Sequence, residues 1–245
     1  MNGKIIALVV GLAVLGAVFL NLRSGASADM AIVPVDLEIN DMGELADRAP
    51  GIHVGDEDAP ITILEFADFQ CPGCMAFAGT VKPQVDVAFI ETGVAKFVFY
   101  DFPLTSIHPH AFLAARAARC ANEQGMFWEY HDELFRSQSA WSFSAAPPSG
   151  AFEDSAAEIG LDQGDFRSCL RGDQFADVVT ANMQLGQGLG VTGTPTILIT
   201  RGGRDVRRVD VATIAEMYPE IQRIVQEFQA EIEAEAGAAA TEGGA

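Results

Sequence analysis

The sequence predicts a mixed α/β protein in which a β-α-β unit and a β-β-α unit flank a long helical block. Three observations carry this. Compact apolar runs suited to buried strands occur at 61–66 and 96–102, with a helical pattern between them. From 109 to about 189 the periodicity is helical, interrupted by Pro147-Pro148-Ser149-Gly150. After Gly193-Thr194-Pro195 the pattern returns to β-type at 196–200 and 205–209, with a Gly202-Gly203 turn between.

The elements follow in order. Residues 5–20 carry no charged side chain, with Lys4 before them and Arg23 after. A helix of that length just reaches across a thin hydrocarbon core, whereas Ala26-Ser27-Ala28 fits a cleavage site. Residues 1–28 are thus a signal anchor or a signal peptide. No Lys or Arg occurs from Ser24 to Asp47, so the positive-inside bias keeps the N-terminus cytoplasmic and exports the rest.

A polar, acidic linker is expected at 29–50, with a short helix near 42–48. A turn at 55–60 precedes the first strand, and a helix runs from Cys71-Pro72 to about 90, where Gly93 ends it. In the block, helical stretches are expected at 111–121, 127–136, 151–159, 163–171 and 173–187. A last helix covers 211–234, and the Ala/Gly-rich end at 235–245 is expected to be frayed or disordered. No internal repeat is present.

Charge narrows the function. The chain has 245 residues with 15 Lys+Arg against 34 Asp+Glu, a net charge of −19. That excludes phosphate-backbone recognition, so no nucleic acid is expected as a partner. Setting Lys4 and Arg23 aside leaves 13 basic against 34 acidic residues, so the acidity belongs to the exported body. With 49% hydrophobic and 20% charged residues, wholesale disorder is excluded as well.

Four cysteines are too few for a disulfide scaffold and enough for redox chemistry. Cys71-Pro72-Gly73-Cys74 follows a strand and opens a helix. There, unpaired amides and the positive dipole end stabilise a thiolate on the first cysteine. Pro72 suits the first helical position, where its missing N–H costs nothing. The second thiol lies within one turn, close enough to resolve a mixed disulfide. A structural cross-link in so short a loop would gain little, and a metal site would need a second ligand pair. His53, His108 and His110 show no spacing that demands a metal, so none is expected.

Several segments carry a family resemblance. Gly55-Asp56-Glu57-Asp58-Ala59-Pro60 leads into Glu65-Phe66-Ala67-Asp68-Phe69-Gln70-Cys71-Pro72-Gly73-Cys74. Next come His108-Pro109, Cys120-Ala121, Glu123-Gln124-Gly125, Phe127-Trp128-Glu129-Tyr130-His131 and Gly193-Thr194-Pro195-Thr196. Over about residues 50–230 this order resembles the DsbA-like branch of the thioredoxin superfamily. The resemblance implies a thioredoxin fold at 51–106 and 190–234, interrupted by an all-helical insertion at 107–189. It implies Cys71 as nucleophile, Cys74 as resolving thiol, a cis Pro195 against the pair, and a Thr194 backbone that pairs with extended substrate. With Pro72 and Gly73 these form the implied substrate-binding surface. Glu65, six residues before Cys71, takes the place of a buried carboxylate that relays the resolving thiol's proton; the other reading is a strand-edge surface charge. Beyond the Cys71–Cys74 disulfide no cofactor is implied. The branch's namesake has histidine where Gly73 stands, so a less strongly oxidising couple is expected here.

Cys120 and Cys169 remain. In an oxidising compartment two leftover thiols usually pair, so a structural disulfide is expected, against two buried free thiols. Gly188-Leu189-Gly190-Val191-Thr192-Gly193 matches a dinucleotide fingerprint, but it follows a helix and leads into a strand, the wrong context. The basic cluster Arg201, Arg204, Arg207 and Arg208 reads as a solvated hairpin or a dock for an acidic partner.

The expected function is an exported, membrane-tethered thiol–disulfide oxidoreductase. Its partners would be cysteine-containing exported proteins and a membrane or exported redox partner, and its N-terminal helix would meet the membrane. The alternatives are an isomerase or reductase of the same fold, or a non-enzymatic tethered binding domain.

Overall fold

A computed structural model of the chain describes residues 30–39 and 41–242. The apolar segment at 1–28, with its anchor or signal reading, lies outside the described residues. Among those, no helix is long and apolar enough to cross a membrane.

The body is built on a five-stranded sheet of order β1-β3-β2-β4-β5. The strands are β1 (Ile52–Val54), β2 (Ile61–Ala67), β3 (Ala95–Asp101), β4 (Thr196–Arg201) and β5 (Asp205–Arg208). β3 lies parallel to β2, which requires a crossover, whereas β4 is antiparallel on β2's other side. β1 and β5 close the two edges antiparallel. The centre is apolar on both faces, with Ile61, Ile63, Phe66, Ile197 and Ile199 fully buried. β3 alternates buried Phe97 and Phe99 with half-buried Lys96, Val98 and Tyr100. β1 was not expected: three residues are too few for a period, and only pairing of Ile52 with Phe99 and Val54 with Phe97 defines it.

The crossover departs from the single helix expected through 90. It is α2 (Pro72–Thr80), then α3 (Lys82–Val85), then a π-helical turn at Asp86–Ile90. Pro83 has no amide hydrogen to continue the α2 ladder, so the helix breaks at Val81.

The helical block comprises α4 (Ala111–Asn122), α5 (Phe127–Arg136), α6 (Gln138–Trp141), α7 (Ser149–Glu158), α8 (Gln163–Arg171) and α9 (Ala176–Gly188). Cys120 on α4 and Cys169 on α8 form a disulfide. A buried polar group ties the block to the sheet. Arg119 Nε donates to Asp101 Oδ2 at 2.7 Å and Nη2 to Asn182 Oδ1 at 2.9 Å, while Nη1 reaches the Pro50 carbonyl at 2.8 Å. Trp128 and His131 pack within an aromatic cluster with Phe99 and Phe127. Gly188 ends α9, so the glycine-rich stretch forms the loop leading into β4.

The acidic linker at 29–50 holds its expected short helix near 42–48, and its chain packs against the body. Ala31 N–H donates to Asp173 Oδ1 and Val35 N–H to Thr180 Oγ1, and Leu37 and Ile39 cover Ala181 and Leu185. Its α1 (Met42–Arg48) is capped by Asp41, which accepts from Gly43 and Glu44 N–H. Arg116, buried on α4, reinforces that dock by holding the Ala31 and Leu170 carbonyls and Asp173. At the other end, α10 (Ile214–Glu242) runs on through 235–242, where the sequence predicts a frayed or disordered end. Alanine-rich sequence favours helix there, and Glu231 and Glu235 on α10 pair with Arg201 on β4. The basic hairpin therefore faces this helix, with Arg207 bridging Glu227 and Glu231.

Candidate active site

Cys71 is the N-cap of α2, with extended backbone (φ −75°, ψ 124°), and Pro72 occupies the first helical turn. The strand–turn–helix path thus aims the sulfur at the first amides of the helix, those of Gly73 and Cys74. Cys71 retains 9% exposure and Cys74 has none. Both are free thiols.

Their environments push the two thiols apart. The Cys71 pKa is lowered to about 5, first by a hydrogen bond from the Cys74 thiol and further by the Gly73 and Cys74 backbone amides, against the cost of burial. Cys74 is pushed well above its ordinary value by burial first, and then by the Cys71 and Glu65 charges. One sulfur is an accessible thiolate at neutral pH and the other a buried thiol, the division that exchange chemistry needs.

Glu65 lies on β2 beneath the pair, 1% exposed, with neither carboxylate oxygen hydrogen-bonded. Burial raises its pKa to about 8, opposed by the Lys82 charge and assisted by Cys71. It is a group poised to exchange a proton near neutrality.

The loop before β4 closes the other side. The Thr194–Pro195 bond is cis, and the Thr194 carbonyl lies 3.4 Å from the Cys71 sulfur, where it accepts from the protonated thiol. The Thr194 hydroxyl is buried and unpaired. Gly73 packs under Pro195, so the structure brings Cys71, Pro72, Gly73, Cys74, Thr194, Pro195 and Glu65 together. Cys120 and Cys169, joined within the helical block, form a separate pair.

Sequence reasoning missed the braces. Gln138 on α6 donates to the Phe69 and Cys71 carbonyls at 2.8 and 3.1 Å. Gln70 donates to the Ser142 carbonyl and accepts from His110 N–H. Asp68, fully buried, accepts from Gln70 and Leu104 N–H and from His108 Nδ1. Lys82 lies 4.5 Å above the Trp128 ring and pairs with Asp86. No spacing signals any of these; His108-Pro109 in a loop was the one visible hint. Among the described residues no three His, Cys, Asp or Glu side chains converge as metal ligands would.

Comparison with known proteins agrees with this geometry. A protein-family model described as Thioredoxin matches residues 47–217. The structure of BdbD from Bacillus subtilis (oxidised) aligns with TM-score 0.62 and 26% identity, over 74% of this chain and 93% of that one. Wolbachia pipientis alpha-DsbA1 shares the fold, with TM-score 0.64 and 21% identity, over 76% and 94% of the two chains. Among curated relatives, Disulfide bond formation protein D of Bacillus subtilis is 25% identical over 60% of this chain and 66% of its own length. The Na(+)/H(+) antiporter NhaA 3 of Salinispora tropica is 34% identical over 59% of this chain, which spans only 21% of that protein. The strand-to-helix cysteine pair, the cis-proline loop and the family match over most of the chain place it in the thioredoxin family.

Proposed function

We propose that the chain is an exported oxidant of protein thiols that works through Cys71 and Cys74. In the oxidised enzyme a client thiolate attacks the Cys71 sulfur. The Cys71–Cys74 bond breaks, and Cys74 leaves as a thiolate that takes up a proton from Glu65. A second client thiolate then attacks the client sulfur of the mixed disulfide and expels the Cys71 thiolate. The client gains one disulfide, and two electrons remain in the enzyme's dithiol.

One observation carries the direction: the Cys71 sulfur sits at the N-cap of α2, where the helix amides favour its thiolate and its pKa is lowered to about 5. A stabilised thiolate is a good leaving group and makes the reduced enzyme the favoured product, which is what an oxidant requires. Thr194 and Pro195 would align an extended client beside the sulfur by strand-like pairing, with Pro72 and Gly73 as the floor. No cofactor beyond the cysteine pair enters this cycle. Residues 1–28 would export the body and tether it to the membrane, or be cleaved. The clients are cysteine-containing exported proteins, and a membrane or exported redox partner reoxidises the pair.

A Cys74→Ala variant tests the reading, because without the resolving thiol the enzyme should accumulate mixed disulfides at Cys71. A variant that traps no client would leave a binding domain instead. Equilibration with glutathione tests the direction: a couple as reducing as thioredoxin's, roughly −270 mV, would reverse it.

A further inference from the structure

β2 ends at Ala67, and that ending frees one amide. The Ala67 carbonyl accepts from Phe102 N–H at 2.7 Å, whereas Asp68, the next residue, has left the strand. A buried N–H needs a partner. That of Asp68 points to the Cys74 sulfur at 3.5 Å. Its direction is held from several sides. The Asp68 carbonyl accepts from Cys71 N–H at 3.0 Å, which closes the turn into α2. The carboxylate is fully buried: Oδ1 accepts from Gln70 N–H at 2.7 Å, and Oδ2 accepts from Leu104 N–H at 2.8 Å and lies 2.7 Å from His108 Nδ1. Gln70 is itself anchored, donating to the Ser142 carbonyl and accepting from His110 N–H, both at 2.8 Å.

We propose that the Asp68 N–H, aimed by its own buried carboxylate, is a preorganised donor for the negative charge that develops on the Cys74 sulfur when the active disulfide opens. The proposal rests on the reading of Cys71 as the attacked sulfur and Cys74 as the leaving one. In that step a client thiolate gives its electron pair to the Cys71 sulfur, and a client–Cys71 bond forms. The Cys71–Cys74 bond breaks and its electron pair stays on Cys74. The Asp68 N–H donates to that thiolate until the Glu65 proton reaches it.

Cys74 has no exposure, so water cannot solvate the charge as it forms. A donor already in place costs no reorganisation at that moment, which is how an oxyanion hole works. Burial first, then Cys71 and the Glu65 charge, disfavour a thiolate on Cys74, and the Asp68 amide opposes them. The Cys71 thiolate draws instead on the Gly73 and Cys74 amides at the start of α2. Each sulfur thus has its own backbone donors. If Asp68 were only a pin for the turn, losing its N–H would disturb both sulfurs alike, because its carbonyl holds Cys71 N–H.

The direct test replaces the Asp68 peptide nitrogen by an ester oxygen, which removes this N–H and keeps the carboxylate. Reduction of the oxidised protein by dithiothreitol, in which Cys74 leaves, should slow roughly tenfold, the worth of one hydrogen bond to a charged acceptor. The pH profile of Cys71 alkylation by iodoacetamide, taken in a Cys74→Ala background, should be the same with and without the ester. The natural chain gives a second reading that needs no ester to fold. In the reduced protein the Asp68 amide proton resonance should move upfield when Cys74→Ala removes its acceptor. An unchanged reduction rate, an Asp68 resonance indifferent to Cys74→Ala, or a Cys71 profile displaced as far as the reduction rate overturns the proposal. Thiol exchange that survives Cys71→Ser would instead sink the underlying reading of the site, whatever the Asp68 amide does.

Discussion

A Cβ placed on Gly73 would stand 3.2 Å from Pro195 Cδ and 3.6 Å from the Cys71 sulfur. The floor of the site is therefore packed to the limit that a glycine allows. In Gly73→Ala two effects oppose each other. Alanine favours the first turn of α2 by up to about 1 kcal/mol, while the cis-proline loop must retreat by a few tenths of an ångström. Stability should change little, and the thermal midpoint should stay within a few degrees. Exchange with protein clients should fall several-fold, because the Thr194 carbonyl moves with the loop. Thermal unfolding alongside a client-oxidation assay reads both, and an unaffected rate would show that the loop has slack.

Cys120 and Cys169 close a loop of 49 residues inside the helical block. Cross-linking that length removes unfolded-state freedom worth roughly 3–4 kcal/mol in the chain-entropy model. The double variant Cys120→Ala/Cys169→Ala should lose about that much in urea unfolding and should keep thiol exchange, since the active pair sits elsewhere. Loss of exchange in a folded double variant would contradict that separation.

Local chemistry was legible in the sequence, and tertiary chemistry was not. Cys71-Pro72-Gly73-Cys74 could be read because strand, turn and helix start lie within a dozen residues. Its partners at 194–195 were reachable only through family resemblance. Asp68 and His108 are 40 residues apart and meet through a loop of no regular period, so nothing in either segment announces the other. The Asp101–Arg119–Asn182 group is hidden in the same way, as its members lie on three different elements. Terminal segments are less legible for a simpler reason. Leu37, Ile39 and Glu235 look like linker and tail residues until the partners they cover or pair with are in place.

The two active thiols should differ sharply in alkylation. With Cys71 lowered to about 5 and Cys74 raised well above 9, iodoacetamide at pH 7 should modify Cys71 alone. Its rate should rise through a midpoint near pH 5 and then level off. Mass spectrometry after a timed quench locates the label. Comparable labelling of Cys74 at neutral pH would mean that its burial is not maintained in solution.

Redox state should also change how stability depends on pH. Glu65 binds its proton more tightly folded than unfolded, with a pKa of about 8 against 4.5, so its contribution is lost as pH rises across that window. The slope is about 1.4 kcal/mol per pH unit. Cys71 in the reduced protein has the opposite sign. Its pKa of about 5 against 9 means that stability grows as pH rises from 5 to 9. Between pH 5 and 8 the two slopes cancel in the reduced form. In the oxidised form Cys71 does not titrate, and Glu65 acts alone because burial is the main cause of its shift. The oxidised protein should therefore lose on the order of 4 kcal/mol relative to the reduced one over those three units. Glu65→Gln should remove that decline from the oxidised form, since the amide carries no proton to lose. Denaturant unfolding of both forms at several pH values measures the difference, and the comparison between forms subtracts groups common to both. An oxidised wild type whose stability tracks the reduced one from pH 5 to 8 would show that Glu65 and Cys71 are not the titrating pair beneath this site.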